Sequence, residues 1–164
     1  AAGEPVSLGG AFGAYQRNAA QLSYMGVILG LFHLGWIRIA TLIFAVFFGL
    51  GFHPNWDNLV VRLAQPDAIP FWAVGTAVGA VFAALVFAIS AISIPMLLDR
   101  DVNVFVAVAT SFTAVRRNWP AMTLWAGLIV AFTAFGIIPL FLGLAVTMPL
   151  IGHATWHAYK DLVE

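Results

Sequence analysis

The stretch from Leu22 to Phe52 limits what this chain can fold into more than any other part of the sequence. It reads LSYMGVILGLFHLGWIRIATLIFAVFFGLGF, and its only strongly polar side chains are His33 and Arg38. A helix that crosses a bilayer needs roughly 20 predominantly apolar residues, so the stretch predicts a spanning helix with length to spare. The excess indicates that the helix is tilted or that its first turns lie outside the lipid.

The composition extends this prediction to the whole chain. Of 164 residues, 62% are hydrophobic and 9% are charged, whereas a soluble domain carries about 25% charged residues. Seven basic and seven acidic residues leave no net charge, which argues against nucleic acid as a partner. The sequence has no cysteine and no G-x-S-x-G, P-loop or dinucleotide-binding pattern. We therefore expect an integral membrane protein that is not an enzyme.

A second span is predicted after a segment that contains prolines and charges. Residues 53–69, HPNWDNLVVRLAQPDAI, indicate a connector outside the membrane, in which Trp56 to Leu63 is compatible with a short amphipathic helix. Pro70 suits the first turn of the next helix, because the N–H that proline lacks would be unpaired there. The sequence thus predicts a second span over Phe71 to Leu98.

The segment after this span has the pattern of a helix that lies along the membrane surface. Apolar residues follow Asp99, Arg100 and Asp101 at helical spacing, which favours an amphipathic helix over about residues 101–117. These apolar residues are Val102, Phe105, Val106, Ala109, Phe112 and Val115.

The last part of the chain is long enough for two further spans. The sequence Asn118-Trp119-Pro120 restarts a helix, since proline favours a first turn, and the third span is predicted over Trp119 to Phe135. Gly136 interrupts the apolar pattern, and a fourth span is predicted from Ile137 to about His157. The alternative is a single broken helix over both segments.

The distribution of basic residues favours four spans. In that topology only Arg62 lies on one side of the membrane. The opposite side has Arg17, Arg100, Arg116, Arg117 and Lys160, and this excess of basic residues identifies it as cytoplasmic. The predicted fold is therefore one all-α membrane domain over residues 1–164, with four spans, an interfacial helix and both termini on the cytoplasmic side of a bacterial inner membrane. The start, AAGEPVSLGG, lacks the features of a signal peptide and is expected to be internal to a longer chain or a trimmed terminus.

Four stretches together resemble a known family. They are WIRIATLIFAVFFG at 36–49, IPMLLDRDVNVFVAVATS at 94–111, RRNWPAM at 116–122 and LFLGLAVTMPLIGHATWHAY at 140–159. They are similar to the bacterial integral-membrane family called domain of unknown function 2189, along nearly the whole chain. The resemblance implies a helical membrane fold and brings no catalytic residues. Members of that family generally have two more spans before the equivalent of GEPVSLGGAF, so we expect a longer protein or neighbouring proteins that supply those helices.

The histidines of GHATWHAYK, residues 152–160, are candidates for a metal site. His153 and His157 are four residues apart, so they share one helix face, and Asp161 could add a third ligand. A zinc site normally has three or four ligands, and the Glu of H-E-x-x-H is missing. The favoured interpretation is therefore a polar and aromatic belt at the membrane surface, in which Trp156, Tyr159 and Lys160 take part.

A haem site is the second hypothesis for the histidines. His33 is the only histidine deep in a predicted span, and His153 could oppose it as the other axial ligand. Gly26, Gly30 and Gly35 could make room for a flat ring, but small residues serve close helix packing equally well.

Arg38 is the most unusual residue of the predicted spans. An arginine within a span costs at least about 2.5 kcal/mol, so it needs water or a partner such as Asp57, Asp67, a free backbone carbonyl or a carboxylate of another protein. Snorkelling to the interface beside Trp36 is the alternative.

Two further groups of residues have structural interpretations. Gly75, Gly79 and Ala83 repeat every four residues, as Gly26 and Gly30 do, and such a strip lets another helix approach closely. Of the Asp99, Arg100 and Asp101 group, Asp101 is predicted to cap the surface helix, with Arg100 near lipid headgroups.

These observations favour a non-catalytic accessory or assembly subunit of a larger membrane complex, respiratory or photosynthetic. Its expected partners are membrane lipids and other integral membrane subunits, and no cofactor is expected. The first alternative is a redox protein that binds haem or a metal through His33 with His153 or His157; pigment and quinone are the other cofactors that the aromatic faces could accept. The second is a transporter or channel for a small solute, with Arg38 as its anion-binding group.

Overall fold

The computed structural model describes residues 13, 16, 18–49, 55–138 and 140–163. The regular structure of these residues is helical throughout, without a strand. The helices are α1 Ala19–Phe48, α2 Trp56–Leu63, α3 Ile69–Ser90, α4 Ser93–Asp99, α5 Val104–Arg117, α6 Trp119–Ile137 and α7 Leu144–Val163, with a 3-10 turn Pro66–Ala68 before α3. The predicted all-α class is therefore confirmed.

Three of the described helical segments are long and apolar enough to cross a membrane. They are α1, the run Pro66–Asp99 that includes α3 and α4, and α6. The predicted fourth span overlaps α7, which is not among the three and whose last turns contain Lys160 and Asp161. The total of four spans thus stays a prediction.

The contacts divide the chain into two compact units, one of residues 27–86 and one of residues 1–26 with 87–164. In the first unit, aromatic side chains join α1 to α3. The ring of Trp36 lies 5.9 Å from that of Phe82, and a Cβ added to Gly79 would be 3.1 Å from Cη2 of Trp36. The absence of a side chain at Gly79 thus lets the indole of Trp36 pack closely against α3.

A second aromatic group lies near the ends of the same two helices. Phe71 packs on Phe44, Phe47 and Phe48 with ring centroids 5.0 to 6.0 Å apart. Helix α2 begins with a capping box, in which the side chains of Asn55 and Asn58 each accept the other's backbone N–H at 2.9 Å. Reciprocal caps of this kind satisfy two of the four donors that a helix start leaves unpaired.

The predicted second span is not one continuous helix, which corrects the sequence prediction. It breaks at residues 91–92, between α3 and α4. Pro95, in the first turn of α4, has no N–H to pair with the carbonyl of Ala91, so a regular helix loses a bond there. A serine of another helix supplies the missing connection. The Ser111 hydroxyl donates to the Ala88 carbonyl at 2.8 Å and accepts the Ile92 N–H at 3.1 Å, and such insertion into the backbone ladder is a known cause of kinks.

The helix predicted to lie along the membrane surface, α5, starts three residues later than predicted, and its cap is a different residue. Asn103, not Asp101, is the N-cap of α5, and its side chain accepts the N–H of Phe105 at 2.8 Å. The side-chain oxygen of Gln21 accepts the first N–H of the helix, that of Val104, at 2.9 Å. Two side-chain oxygens therefore occupy the start of α5, and Asp101 is left exposed.

Gly136 is not the turn that the sequence predicts between the last two helices. It lies inside α6 and is buried, and a Cβ there would be 2.6 Å from Cδ2 of Leu144 and 2.7 Å from Oγ1 of Thr147 on α7. The connection instead includes Leu140 and Phe141, which have positive φ angles of 51° and 68°. The glycine serves close packing of α6 on α7, and the chain reverses later at a left-handed backbone that non-glycine residues rarely adopt.

Candidate functional site

The largest cluster of interacting polar side chains in the described residues is centred on Asp99, the last residue of α4. Its Oδ2 accepts the hydroxyl of Tyr159 at 2.8 Å, and Nζ of Lys160 lies 3.4 Å from the same oxygen. Nε of Arg100 lies 3.5 Å from it. One carboxylate oxygen therefore interacts with three groups. The phenol of Tyr159 and the ammonium of Lys160 come from α7, and the guanidinium of Arg100 comes from the residue after α4.

Helix α7 also brings an aromatic pair to this cluster. The rings of Trp156 and Tyr159 are 5.5 Å apart, and the ammonium of Lys160 lies 5.4 Å and 5.7 Å from their centroids. The guanidinium carbon of Arg100 is 6.0 Å from the Tyr159 ring. Cations at such distances are attracted by the ring faces, so both basic side chains are held by rings as well as by the carboxylate.

The start of α1 fixes the corner of the chain on which Asp99 lies. Asn18 is 5% exposed, and its Nδ2 lies 3.2 Å from each of three backbone carbonyls, those of Leu97, Arg100 and Val102. An amide nitrogen has two hydrogens, so one of them is shared between two acceptors. Asn18 thus binds the Leu97 carbonyl near the end of α4 together with two carbonyls of the segment that follows it.

The cluster changes the acidity of Tyr159. Burial raises the pKa of the phenol above its ordinary value, and the hydrogen bond to Asp99 raises it further, with Arg100 opposing in part. A phenol beside a carboxylate keeps its proton because the deprotonated form would add a second negative charge. Tyr159 is therefore a persistent donor to Asp99, and the arrangement fastens α7 to α4.

The predicted histidine ligands have separate surroundings. His153 and His157 are exposed on α7, with ring centroids 6.1 Å apart. In the described part of the chain, no three His, Asp or Glu side chains are grouped so that they could hold a metal ion, and Asp161 is thus not brought to the pair as a third ligand. His33 is exposed on α1, in the unit of residues 27–86.

Arg38 is exposed on α1 and makes neither a hydrogen bond nor an ion pair with a described residue. One predicted partner, Asp67, instead pairs with Arg62 at 2.9 Å. The side chain of Asp57, another predicted partner, lies outside the described part. Trp36, beside which Arg38 was expected to snorkel, packs on Gly79 and Phe82.

The predicted packing glycines differ from one another. Only at Gly79 would an added Cβ meet a close neighbour; Gly26, Gly30 and Gly75 have open space around them in the described structure, and Ala83 is exposed. Open space beside a small residue is a surface that another molecule or lipid can approach.

Sequence reasoning missed Asn18, Gln21 and Ser111. Polar residues at the start of an apolar helix, as in N-A-A-Q at 18–21, were the available signal for the first two. A buried serine in an amphipathic helix has no such signal, because its partners are backbone groups of a distant segment.

The helices and their apolar composition define an all-α integral membrane protein. Within that class, the chain belongs to the family described as predicted integral membrane protein (DUF2189), whose family model matches residues 1–99. The match covers WIRIATLIFAVFFG and IPMLLD but ends before RRNWPAM and GHATWH, so it is shorter than the resemblance implied. Comparison with the curated proteins gives no match, and comparison with the solved structures gives none.

Proposed function

We propose that the chain is a non-catalytic subunit that docks, through one face of α1, on another integral membrane protein of the bacterial inner membrane. The observation that carries the proposal is Arg38, exposed in the middle of an apolar helix without a partner in the described residues. Residues 18–56 contain no other Asp, Glu, Lys or Arg.

The depth of Arg38 in the membrane follows from an ion pair near the end of α1. Arg62 lies over the ring of Phe48, the last residue of α1, at 5.8 Å, and its ion pair with Asp67 is solvated, with 45% and 56% of the two side chains exposed. Such a pair belongs at the aqueous surface, so the end of α1 is at the interface. Arg38 is ten residues before Phe48, or about 15 Å nearer the start of α1.

That distance is about half of the ~30 Å hydrocarbon core. An arginine side chain covers only part of it, so snorkelling towards Phe48 leaves the guanidinium in the core. An intramembrane arginine is normally paired or faces water, and a carboxylate in a span of a partner protein is the simplest counter-ion. Leu31, Leu34 and Leu42, exposed by 59% to 64%, lie on the same face as Arg38 at helical spacing and would pack around the pair.

The test uses photo-crosslinking residues placed at two exposed positions of α1. Leu42 is 40° from Arg38 around the helix, whereas His33 is 180° from Leu42, at ~100° per residue. We expect a crosslink from position 42, but not from position 33, to a protein with an Asp or Glu in a membrane span. Arg38→Gln should abolish co-purification of that protein in mild detergent, since breaking a buried pair costs about 3–5 kcal/mol. Arg62→Gln, which removes the same charge from a solvated pair, should leave it unchanged.

Other outcomes would replace the proposal. A chain that purifies alone and crosslinks equally from both positions has no docking face on α1. A Soret band that is lost when His33 or His153 is changed would favour the haem hypothesis. Solute flux in proteoliposomes that Arg38→Ala abolishes would favour a transporter.

A further inference from the structure

Helix α5 has a groove on one side. The groove is separate from the docking face proposed on α1. At ~100° per residue, the helix has three faces. The buried face contains Val104, Ala107, Ser111 and Ala114. The second face contains Phe105 and Phe112, which are 73% and 48% exposed, and the third contains Val106, Thr110, Thr113 and Arg117.

The third face forms an open groove of about 560 Å³ together with the end of α7. The lining that matters for binding is Val106, Thr110, Thr113, Arg117, Asn118 and Leu162. The groove is apolar at Val106 and Leu162 and cationic at Arg117. The groove is open to its surroundings and its lining combines apolar and polar groups, so a ligand would lie along it rather than inside it.

Arg117 is the group in the groove that has the most donors to spare. The Thr113 hydroxyl donates to the Ala109 carbonyl at 2.8 Å, and the Asn118 amide donates to the Ala114 carbonyl at 3.0 Å. Arg117 makes no hydrogen bond or ion pair with a described residue. Its planar guanidinium can bind a phosphate with two parallel hydrogen bonds.

We propose that this groove binds the phosphate of an anionic phospholipid headgroup, with Arg117 as the cation and Leu162 against the glycerol and first methylenes. The Phe105 and Phe112 face lies about 120° around the helix from the groove. Side chains of this kind enter the acyl boundary when a helix lies along a membrane, which places the groove at headgroup level. Two acidic residues of α7 and the α4–α5 corner are exposed, Asp161 and Asp101, but neither pairs with Arg117.

Arg116 provides a matched control. It is exposed at the same end of α5, where either arginine complements the helix dipole, but it lies on the face of Phe105 and Phe112 and does not line the groove. A general attraction of basic residues to an anionic membrane would involve both arginines equally. A site would involve Arg117 alone.

The experiment measures binding of phosphatidylglycerol and of phosphatidylcholine to the detergent-purified full chain by native mass spectrometry. We expect Arg117→Gln to weaken phosphatidylglycerol binding by at least about fivefold, the value of one basic residue at a charged membrane surface, and Arg116→Gln to leave it unchanged. Leu162→Ala should weaken it without a change of charge. Phosphatidylcholine has the same phosphate beside a choline cation that offsets its charge, so it should bind the wild-type chain more weakly than phosphatidylglycerol does.

Equal losses from Arg116→Gln and Arg117→Gln would overturn the site, because they would show diffuse electrostatic attraction. Displacement of phosphatidylglycerol by millimolar inorganic phosphate would overturn the lipid and identify free phosphate as the ligand. Both arginines are exposed at the same end of α5, so the thermal unfolding midpoints of Arg116→Gln and Arg117→Gln should match each other.

Discussion

Tyr159 donates its phenolic hydrogen to Asp99 over 2.8 Å and so joins α7 to a residue 60 positions earlier in the chain. Tyr159 is fully buried, whereas the Asp99 side chain is 24% exposed. The carboxylate therefore keeps access to Lys160 and Arg100 on its open side while the phenol fixes its inner side. This geometry sets the rotation of α7 about its axis.

Tyr159→Phe removes the hydroxyl and keeps the ring. A hydrogen bond to a charged group contributes about 1.5–3 kcal/mol, so the thermal unfolding midpoint in detergent should fall by roughly 3–12 °C, at about 2–4 °C per kcal/mol. Tyr24→Phe is the control, because Tyr24 is 57% exposed and should show no shift. Equal midpoints for the two variants would mean that the bond to Asp99 does not stabilise the fold.

The same phenol predicts a loss of stability at alkaline pH. Burial and Asp99 raise the pKa of Tyr159 in the folded protein, whereas an unfolded tyrosine has a pKa of about 10. The folded state thus holds the proton more tightly, and the contribution of Tyr159 is fully present below about pH 10 and is lost as the pH rises through the folded pKa. The difference in tyrosinate absorbance between wild type and Tyr159→Phe isolates this group. A tyrosinate midpoint for Tyr159 at or below about 10, the unfolded value, would contradict the prediction.

Ser111→Ala should destabilise the break between α3 and α4. Its hydroxyl bridges the Ala88 carbonyl and the Ile92 N–H, and leaving such buried backbone groups unsatisfied costs about 1–3 kcal/mol. The measurement is again the unfolding midpoint. Ser23→Ala provides the control, since the exposed Ser23 hydroxyl donates only within its own helix, to the Ala19 carbonyl. If Ser111→Ala is as stable as Ser23→Ala, the two helix segments close into a regular ladder without the serine.

The positions of the helices could be predicted from the sequence because their signals are local. Pro70 lies in the first turn of α3, and α6 starts at Trp119, as proline geometry and apolar length indicate. The break at residues 91–92 was missed although Pro95 was a local sign of it. Apolar composition alone cannot reveal a break, because both segments of a kinked span are equally apolar.

The candidate site was predictable only as separate residues. Asp99, Arg100 and Lys160 were notable as charges at helix ends, and Tyr159 as part of an aromatic belt. Their convergence on one carboxylate oxygen depends on the packing of α7 against α4, which local patterns do not encode. The prediction of Asp101 as the N-cap of α5 was wrong for a related reason. Asp101 and Asn103 are both good N-cap residues, and the choice between them depends on where Gln21 reaches α5.

Gly136→Ala tests whether that glycine serves packing or a turn. A Cβ there would lie 2.6 Å from the Leu144 side chain and 3.1 Å from the Leu144 backbone nitrogen, and overpacking of this kind costs about 1–3 kcal/mol. Gly127 lies in the same helix with nothing within 4 Å of an added Cβ, so Gly127→Ala should gain up to about 1 kcal/mol from helix propensity. The unfolding midpoint of Gly136→Ala should therefore lie several degrees below that of Gly127→Ala. Because alanine favours the helix at both positions, a difference between them isolates the contact with α7, and equal midpoints would show that α6 and α7 do not pack closely at Gly136.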